Sequence, residues 1–226
     1  MSLDKPSYWI DLNASQKEAK SYTLTLNLND DGKIRGTITG ISRGYEAYNK
    51  RKAIKAFNSL EEYVENLDEN WPKTRILKSE IKNIENLDDA ITEIYEVEIN
   101  AYDNLDKEKF SFNPYFMDRK EVNPFKLVER YYPVDLGASS ETKVILSLSF
   151  PEQFEVIAKP DKVGLALPNS GGRFISTVEV ANNTLQFSQL TDLSKPIYTA
   201  DEYPYLKELY NRMVQQHKTD IIFRKK

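Results

Sequence analysis

Chemistry in a protein begins with nucleophiles, bases and metal ligands, and this sequence holds few of them. It contains no cysteine and one histidine, His217. Lack of cysteine removes thiol nucleophiles, thiolate metal sites and disulfides together. A single histidine leaves no two-histidine metal site and no ordinary nucleophile–base pair. Carboxylates remain. Glu96 and Glu98 stand two residues apart on one face of an alternating segment, whereas the acids of a glycosidase flank their substrate from different elements; this pair reads as solvent-facing decoration. Asp30-Asp31-Gly32 lacks the further spaced ligands and closing glutamate of a calcium loop and reads as a turn. Gly171-Gly172 is followed by neither Gly-Lys-Ser/Thr nor a helix start, so it is a hairpin loop and not a phosphate cradle. Asp135, between an edge strand and Gly137, is expected to accept local backbone hydrogen bonds. His217 falls near the C-terminal end of a helical segment, where the helix dipole tolerates a cation, and reads as a surface histidine. No catalytic residue, metal ligand or cofactor is assigned, and the chain alone is not expected to be an enzyme.

Aromatic side chains are the other candidates. Tyr45, Tyr48, Phe112, Tyr115 and Tyr131 could form a platform for glycan or peptide if their rings are exposed. For the cluster over Lys109–Met117 the preferred reading is burial where sheets meet. Lys50, Arg51, Lys52 and Lys55, set among Tyr48, Ile54 and Phe57, give one helix a basic face, read as solvated.

The elements that must hold these residues follow from periodicity. Tyr22, Leu24, Leu26 and Leu28 alternate with Thr23, Thr25 and Asn27, a half-buried strand. Asn29-Asp30-Asp31-Gly32 turns it back into a strand through Ile34 and Ile38. The period then lengthens over Tyr45–Trp71, with Ser59 and Glu62 spaced as a capping box, until Pro72 stops the helix. Strands follow at Arg75–Ile84 and Ile91–Tyr102. Asn113-Pro114 and Asn123-Pro124 favour turns. Tyr131, Tyr132 and Val134 suggest an edge strand limited by Pro133, and Val144, Leu146, Leu148 and Phe150 a strand with one buried face. Short strands then recur about every ten residues, separated by Pro-, Gly- and Asn-rich turns, a pattern typical of sandwiches. A last helix spans Asp201–His217, with two alternatives for its start: a Thr199–Glu202 capping box, or Asp201 as the cap with Pro204 in the first turn. The expected fold is mainly β with accessory helices: an antiparallel β-sandwich-like body, its N-terminal half α+β, with the C-terminal helix packed on the sheet. The expected organisation is a linker over 1–14, a β-rich lobe with inserted helices over 15–122 and a sandwich lobe over 123–226, with one continuous domain as the alternative.

Composition bounds the partners. A chain of 226 residues with 40% hydrophobic and 29% charged residues can bury a full core. A net charge of -4 with no clustered basic face offers nothing to nucleic acid, and no apolar run approaches the roughly 20 residues that span a bilayer. The polar start Met1-Ser2-Leu3-Asp4-Lys5-Pro6 reads as a cloning start joined to an internal segment, so the chain is expected to be a piece of a longer protein.

Several runs together resemble the C-terminal region of a bacterial family of transglutaminase-like proteins. They are Asn123-Pro124-Phe125, Glu129-Arg130-x-Tyr132-Pro133-Val134-Asp135-Leu136-Gly137, Leu165-Ala166-Leu167-Pro168-Asn169, and Ile221-Ile222-Phe223-x-Lys225-Lys226. Gly32-x-Ile34-x-Gly36 and Gly44-Tyr45-Glu46-Ala47 are similar to earlier segments of that region. The resemblance implies a parent with an N-terminal β domain, a papain-like core carrying a Cys–His–Asp triad, and a β-rich C-terminal region of unknown function, of which this chain would be the last part. Tyr8-Trp9-Ile10-Asp11 is superficially similar to the strand that bears the triad aspartate, but the preceding Cys and His are missing, and no catalytic residue carries over. What the resemblance implies is a non-catalytic accessory domain, packed against or presenting substrate to the missing core of the same polypeptide, in the periplasm or at the cell surface. The alternative is a stand-alone module that binds peptide or glycan.

Overall fold

The computed structural model describes residues 9–10, 14–102 and 108–226; the linker expected over 1–14 lies almost wholly outside these. Strands β1 (Glu18–Leu28) and β2 (Lys33–Gly44) form the hairpin that the alternation predicts. Its turn closes through Gly32 N–H to Asn29 O at 3.0 Å, and Gly32 takes a φ of 77°, the left-handed region that favours glycine. Helices α1 (Tyr45–Ile54) and α2 (Leu60–Asn70) follow, then β3 (Thr74–Lys82) and β4 (Ile91–Asn100). Ser59 caps α2 by accepting the Glu62 N–H at 3.2 Å. The return bond of the box is shifted by one residue, because Glu62 accepts the N–H of Asn58 at 3.0 Å.

The remaining strands are β5 (Lys109–Phe112), β6 (Val134–Asp135), β7 (Ser140–Ser149), β8 (Phe154–Ala158), β9 (Val163–Ala166), β10 (Gly172–Ala181), β11 (Thr184–Leu193) and β12 (Ile197–Tyr198). Helix α3 (Tyr203–His217) and β13 (Ile221–Lys225) complete the described chain. Thr199 and Glu202 form their capping box ahead of α3, and Pro204 sits in its first turn.

Eight strands make one sheet in the order β3-β4-β2-β1-β7-β11-β10-β9. Every neighbouring pair is antiparallel except β1 and β7, which run parallel from Glu18↔Ser140 to Asn27↔Ser149. Strands β5, β13 and β8 make a second sheet, and β6 pairs with β12. The mainly β content and the C-terminal helix agree with expectation. The sheet differs from it, being mixed and open-ended. Regular strand spacing shows how many strands there are but not which ones pair, and a parallel contact between strands more than a hundred residues apart leaves no local signature. A second correction concerns Tyr131 and Tyr132. They stand exposed outside any strand, and only Val134 and Asp135 pair, with Tyr198 and Ile197.

One face of the large sheet is covered. Leu24, Leu26, Leu146, Leu148, Leu185 and Phe187 are buried against Phe110, Phe112, Phe154, Ile221 and Phe223 of the three-stranded sheet. Each such side chain contributes about 1.5–3 kcal/mol on burial. Toward β9 the cover changes to α3, whose Leu206, Leu209 and Met213 pack on Phe174, Leu193 and Tyr198. The alternate residues of the same strands, among them Thr23, Thr25, Gln186 and Ser188, face solvent.

The two Asn-Pro turns fix α3 in place. Asn113 accepts the Tyr115 N–H at 2.9 Å and donates to His217 O at 3.0 Å and to Asp220 at 2.8 Å. Asn123 accepts the Phe125 N–H at 2.8 Å and donates to Lys207 O at 2.9 Å and to Asn211 at 2.7 Å. Each asparagine closes its own turn and uses its amide to hold the helix, Asn113 at its C-terminal end and Asn123 at its middle.

Candidate functional site

The five aromatic candidates do not form a platform. Phe112 and Tyr115 are buried in the core, Tyr45 is half-buried at the start of α1, and Tyr48 and Tyr131 are exposed on separate elements. Tyr115 is committed further: its hydroxyl shares a hydrogen bond with Ser176 at 2.8 Å and its ring packs edge-on to Phe187. The basic face of α1 is likewise engaged. Arg51 is buried and donates to the carbonyls of Asn83, Ile84, Asn86 and Asp89, so it pins the β3–β4 connection. Lys55 pairs with Glu85 at the surface at 2.8 Å. Asp135 accepts the Gly137 N–H at 2.8 Å, the local bond expected of it.

Titratable groups gather instead at two interior places. The first is Glu93 on β4, 4% exposed. Its Oε1 accepts the hydroxyls of Tyr63 at 2.8 Å and Tyr95 at 2.7 Å, and its Oε2 lies 3.1 Å from Lys50 Nζ. Burial, reinforced by the glutamate's charge, pushes both phenols well above the usual tyrosine range. Tyr22, beside the same group, is pushed up to about 12 chiefly by burial. The carboxylate therefore has an ammonium and two phenols as fixed partners, and the phenols stay protonated as donors. Such a ring holds α1 and α2 on the sheet; it leaves no free base facing a cavity.

The second is His217. It is fully buried, which corrects the surface position expected for it. Its Nδ1 accepts the Lys120 N–H at 2.8 Å, so the neutral ring carries its proton on Nε2. The ring stacks on Tyr115 at 4.5 Å and meets Phe174 edge-on at 5.9 Å. Burial lowers its pKa to about 4, with Asp118 acting the other way. Asp118 is itself buried and joined to Lys20 at 3.0 Å and Lys120 at 3.2 Å. Three buried side-chain polar atoms among the described residues lack a partner: His217 Nε2, Gln189 Nε2 and Thr191 Oγ1. Gln189 and Thr191 share one face of β11, Gln189 opposite Ser176 of β10 and Thr191 lining a cleft with Tyr210 and Met213 of α3.

Both groupings carried a sequence signal. Glu93 is a carboxylate on the apolar face of an alternating strand, with Ile91, Tyr95, Val97 and Ile99. His217 extends the apolar stripe of α3 by one step of four beyond Met213.

An open concavity lies elsewhere. A groove of about 740 Å³ runs between β9 and α3, lined by Leu165, Leu167, Tyr205, Leu209, Arg212 and Gln216 among others. Among the described residues, no cluster of histidine, aspartate and glutamate is arranged to hold a metal ion, and no helix is long and apolar enough to cross a membrane.

Comparison with known proteins gives a family. Residues 107–223 match DUF3858, described as a Domain of Unknown Function with solved-structure structure. No match is found among curated proteins. Among solved structures, a chain described as "a putative protease" from Parabacteroides distasonis is similar over 44% of this chain and 19% of its own, with 16% identity and a TM-score of 0.38. The matched part is thus less than a fifth of that chain.

Proposed function

We propose that this chain, which belongs to the DUF3858 family of domains of unknown function, is a non-catalytic accessory domain of a longer bacterial polypeptide. Its expected companion is a transglutaminase-like core, against which it packs or to which it presents substrate, in the periplasm or at the cell surface. One observation carries the reading: Glu93, Asp118 and His217, the groups best suited to acid–base work, are buried and tied to fixed partners. A general base must reach its proton directly or through one water, at about 2.6–3.2 Å; Glu93 and His217 are enclosed by protein, and Asp118, which lines a small cleft with Glu46 and Ser140, is held by Lys20 and Lys120. The resemblance of the 123–137 and 221–226 runs to the C-terminal region of transglutaminase-like proteins supplies the companion.

The test sets this chain beside its longer parent in assays of peptide hydrolysis and of amide transfer from a glutamine peptide to a primary amine. The expected result is turnover by the parent and none by this chain. Turnover by this chain that is lost on His217→Gln or Glu93→Gln would overturn the non-catalytic reading. Turnover by neither protein would remove the catalytic companion.

A further inference from the structure

The large sheet ends in two edges of different character. Strand β3 is guarded: it carries Arg75, Lys78, Glu80 and Lys82 and is bulged between Ile76 and Lys78. Charges and bulges on an edge discourage the addition of a further strand. Strand β9, Val163-Gly164-Leu165-Ala166, has no charge and pairs with β10 without a break in register. The Leu167 N–H donates to Gly172 O at 2.8 Å. Antiparallel alternation then turns the main chain of Val163 and Leu165 toward β10 and that of Gly164 and Ala166 outward. Gly164 and Ala166 are exposed, no described strand lies on their side, and the space over Gly164 is empty to 4 Å.

Alongside that edge runs the 740 Å³ groove, with α3 as its far wall. Leu209 and Leu165 give it an apolar floor, and Tyr205 stands exposed at one end. Its walls are fixed before any ligand arrives. Gln216 donates to Asp161 O at 2.7 Å, which ties the end of α3 to the loop before β9, and Asn123 holds the middle of the helix. The charged lining comprises Lys159, Lys162 and Arg212 against Asp161 and Glu208, an excess of one cation in a chain of net charge -4.

We propose that this groove binds an extended peptide from another polypeptide, added as a ninth strand beside β9. The outward N–H and C=O groups of Gly164 and Ala166 pair with the guest's main chain. Alternate apolar side chains of the guest lie over Leu165 and Leu209, and an acidic side chain meets Lys162. Main-chain pairing at an open edge, with side-chain selection by a neighbouring wall, is the physical basis of β-strand addition. Four residues of β9 span about 13 Å, which suits a guest of four to six residues. A second copy of this chain fits less well, since it would set the same excess of positive charge against itself. The inference goes beyond the accessory role, because a peptide groove works with or without a catalytic core alongside.

The experiment titrates the isotope-labelled chain with two hexapeptide pools, one alternating Val, Ile or Phe with Asp or Glu, the other with Lys or Arg in the acidic places. The acidic pool is expected to shift resonances of residues 163–167 and of α3, and the basic pool to bind more weakly. Ala166→Pro removes one outward N–H at an edge, where proline is tolerated, and is expected to weaken binding about tenfold with an unchanged melting temperature. Lys162→Glu is expected to reverse the preference between pools. Should Ala166→Pro unfold the chain, N-methylation of the guest's central amides removes the same bonds from the other side and must abolish binding to the unaltered protein. The proposal is overturned if neither pool shifts β9 and α3, if Ala166→Pro and N-methylation both leave binding unchanged, or if Ala166→Pro abolishes self-association of the chain instead. None of these outcomes bears on turnover, which is measured separately.

Discussion

The Glu93 and His217 nodes lie under the same covered face of one sheet, and they are completed to different degrees. Glu93 has a partner for each carboxylate oxygen, supplied by β4, α1 and α2 together. His217 has a partner for Nδ1 and none for Nε2, and Gln189 and Thr191 of β11 also leave a polar atom unpaired. The difference follows from how the covering helices are held. Helices α1 and α2 are held through the node itself, so its bonds must close. Helix α3 is held from outside by Asn113 and Asn123, and its interior polar contacts are left incomplete. A closed polar ring is costly to break and an incomplete one is cheap to alter, because the desolvation cost of an unpaired group is already present in the native protein.

This contrast can be broken or sharpened by mutation and by pH. The largest effect is expected at Glu93. Glu93→Ala strands a nearly buried ammonium and two phenols, and the loss should be about 3–5 kcal/mol in urea unfolding. A loss below about 1 kcal/mol would mean that the ring does not hold the helices.

Acid comes next. The pKa of His217 falls from 6.5 to about 4 on folding through burial, so between these values the unfolded chain binds more protons than the folded one. Its contribution to stability is therefore complete above about pH 6.5 and is lost as pH falls toward 4, a total of roughly 2–4 kcal/mol. His217→Gln, which keeps an acceptor for the Lys120 N–H, should flatten that part of the profile relative to the unaltered chain.

Smaller effects complete the series. Tyr63→Phe takes one donor from Glu93 while Tyr95 and Lys50 remain, and about 1–2 kcal/mol should be lost in the same unfolding assay. Gln189→Met removes an amide that already lacks a partner, and stability should stay within about 0.5 kcal/mol. If Gln189→Met proves as costly as Tyr63→Phe, the two nodes are equally complete and the contrast fails.

Local structure was largely legible in the sequence because its causes are local. The Asn29–Gly32 turn, the Ser59 and Thr199 caps, Pro204 and the alternation of β1, β4 and β7 all act within a few residues. The parallel β1–β7 contact was not legible, since pairing partners far apart in the chain leave no mark on either strand. The two Asn-Pro sites could be read as turns, but not as straps, because their second partners lie on α3, 104 and 84 residues away. Of the sites, the burial of the Lys109–Met117 cluster was legible because β-sheet cores recruit aromatics: Phe112 and Tyr115 are packing residues. Glu93 was readable in principle as the charge on the wrong face of β4, opposite the face that carries Glu96 and Glu98.

The claim that acid–base groups in this chain belong to its scaffold is most directly tested at its only histidine. A single imidazole gives a single set of ring resonances, so a titration by nuclear magnetic resonance needs no assignment by mutation. The account predicts a neutral ring protonated on Nε2 from pH 8 down to about 5, titrating near 4. A ring that titrates near the unperturbed value of about 6.5 would be open to solvent and available as a base, and would contradict the account.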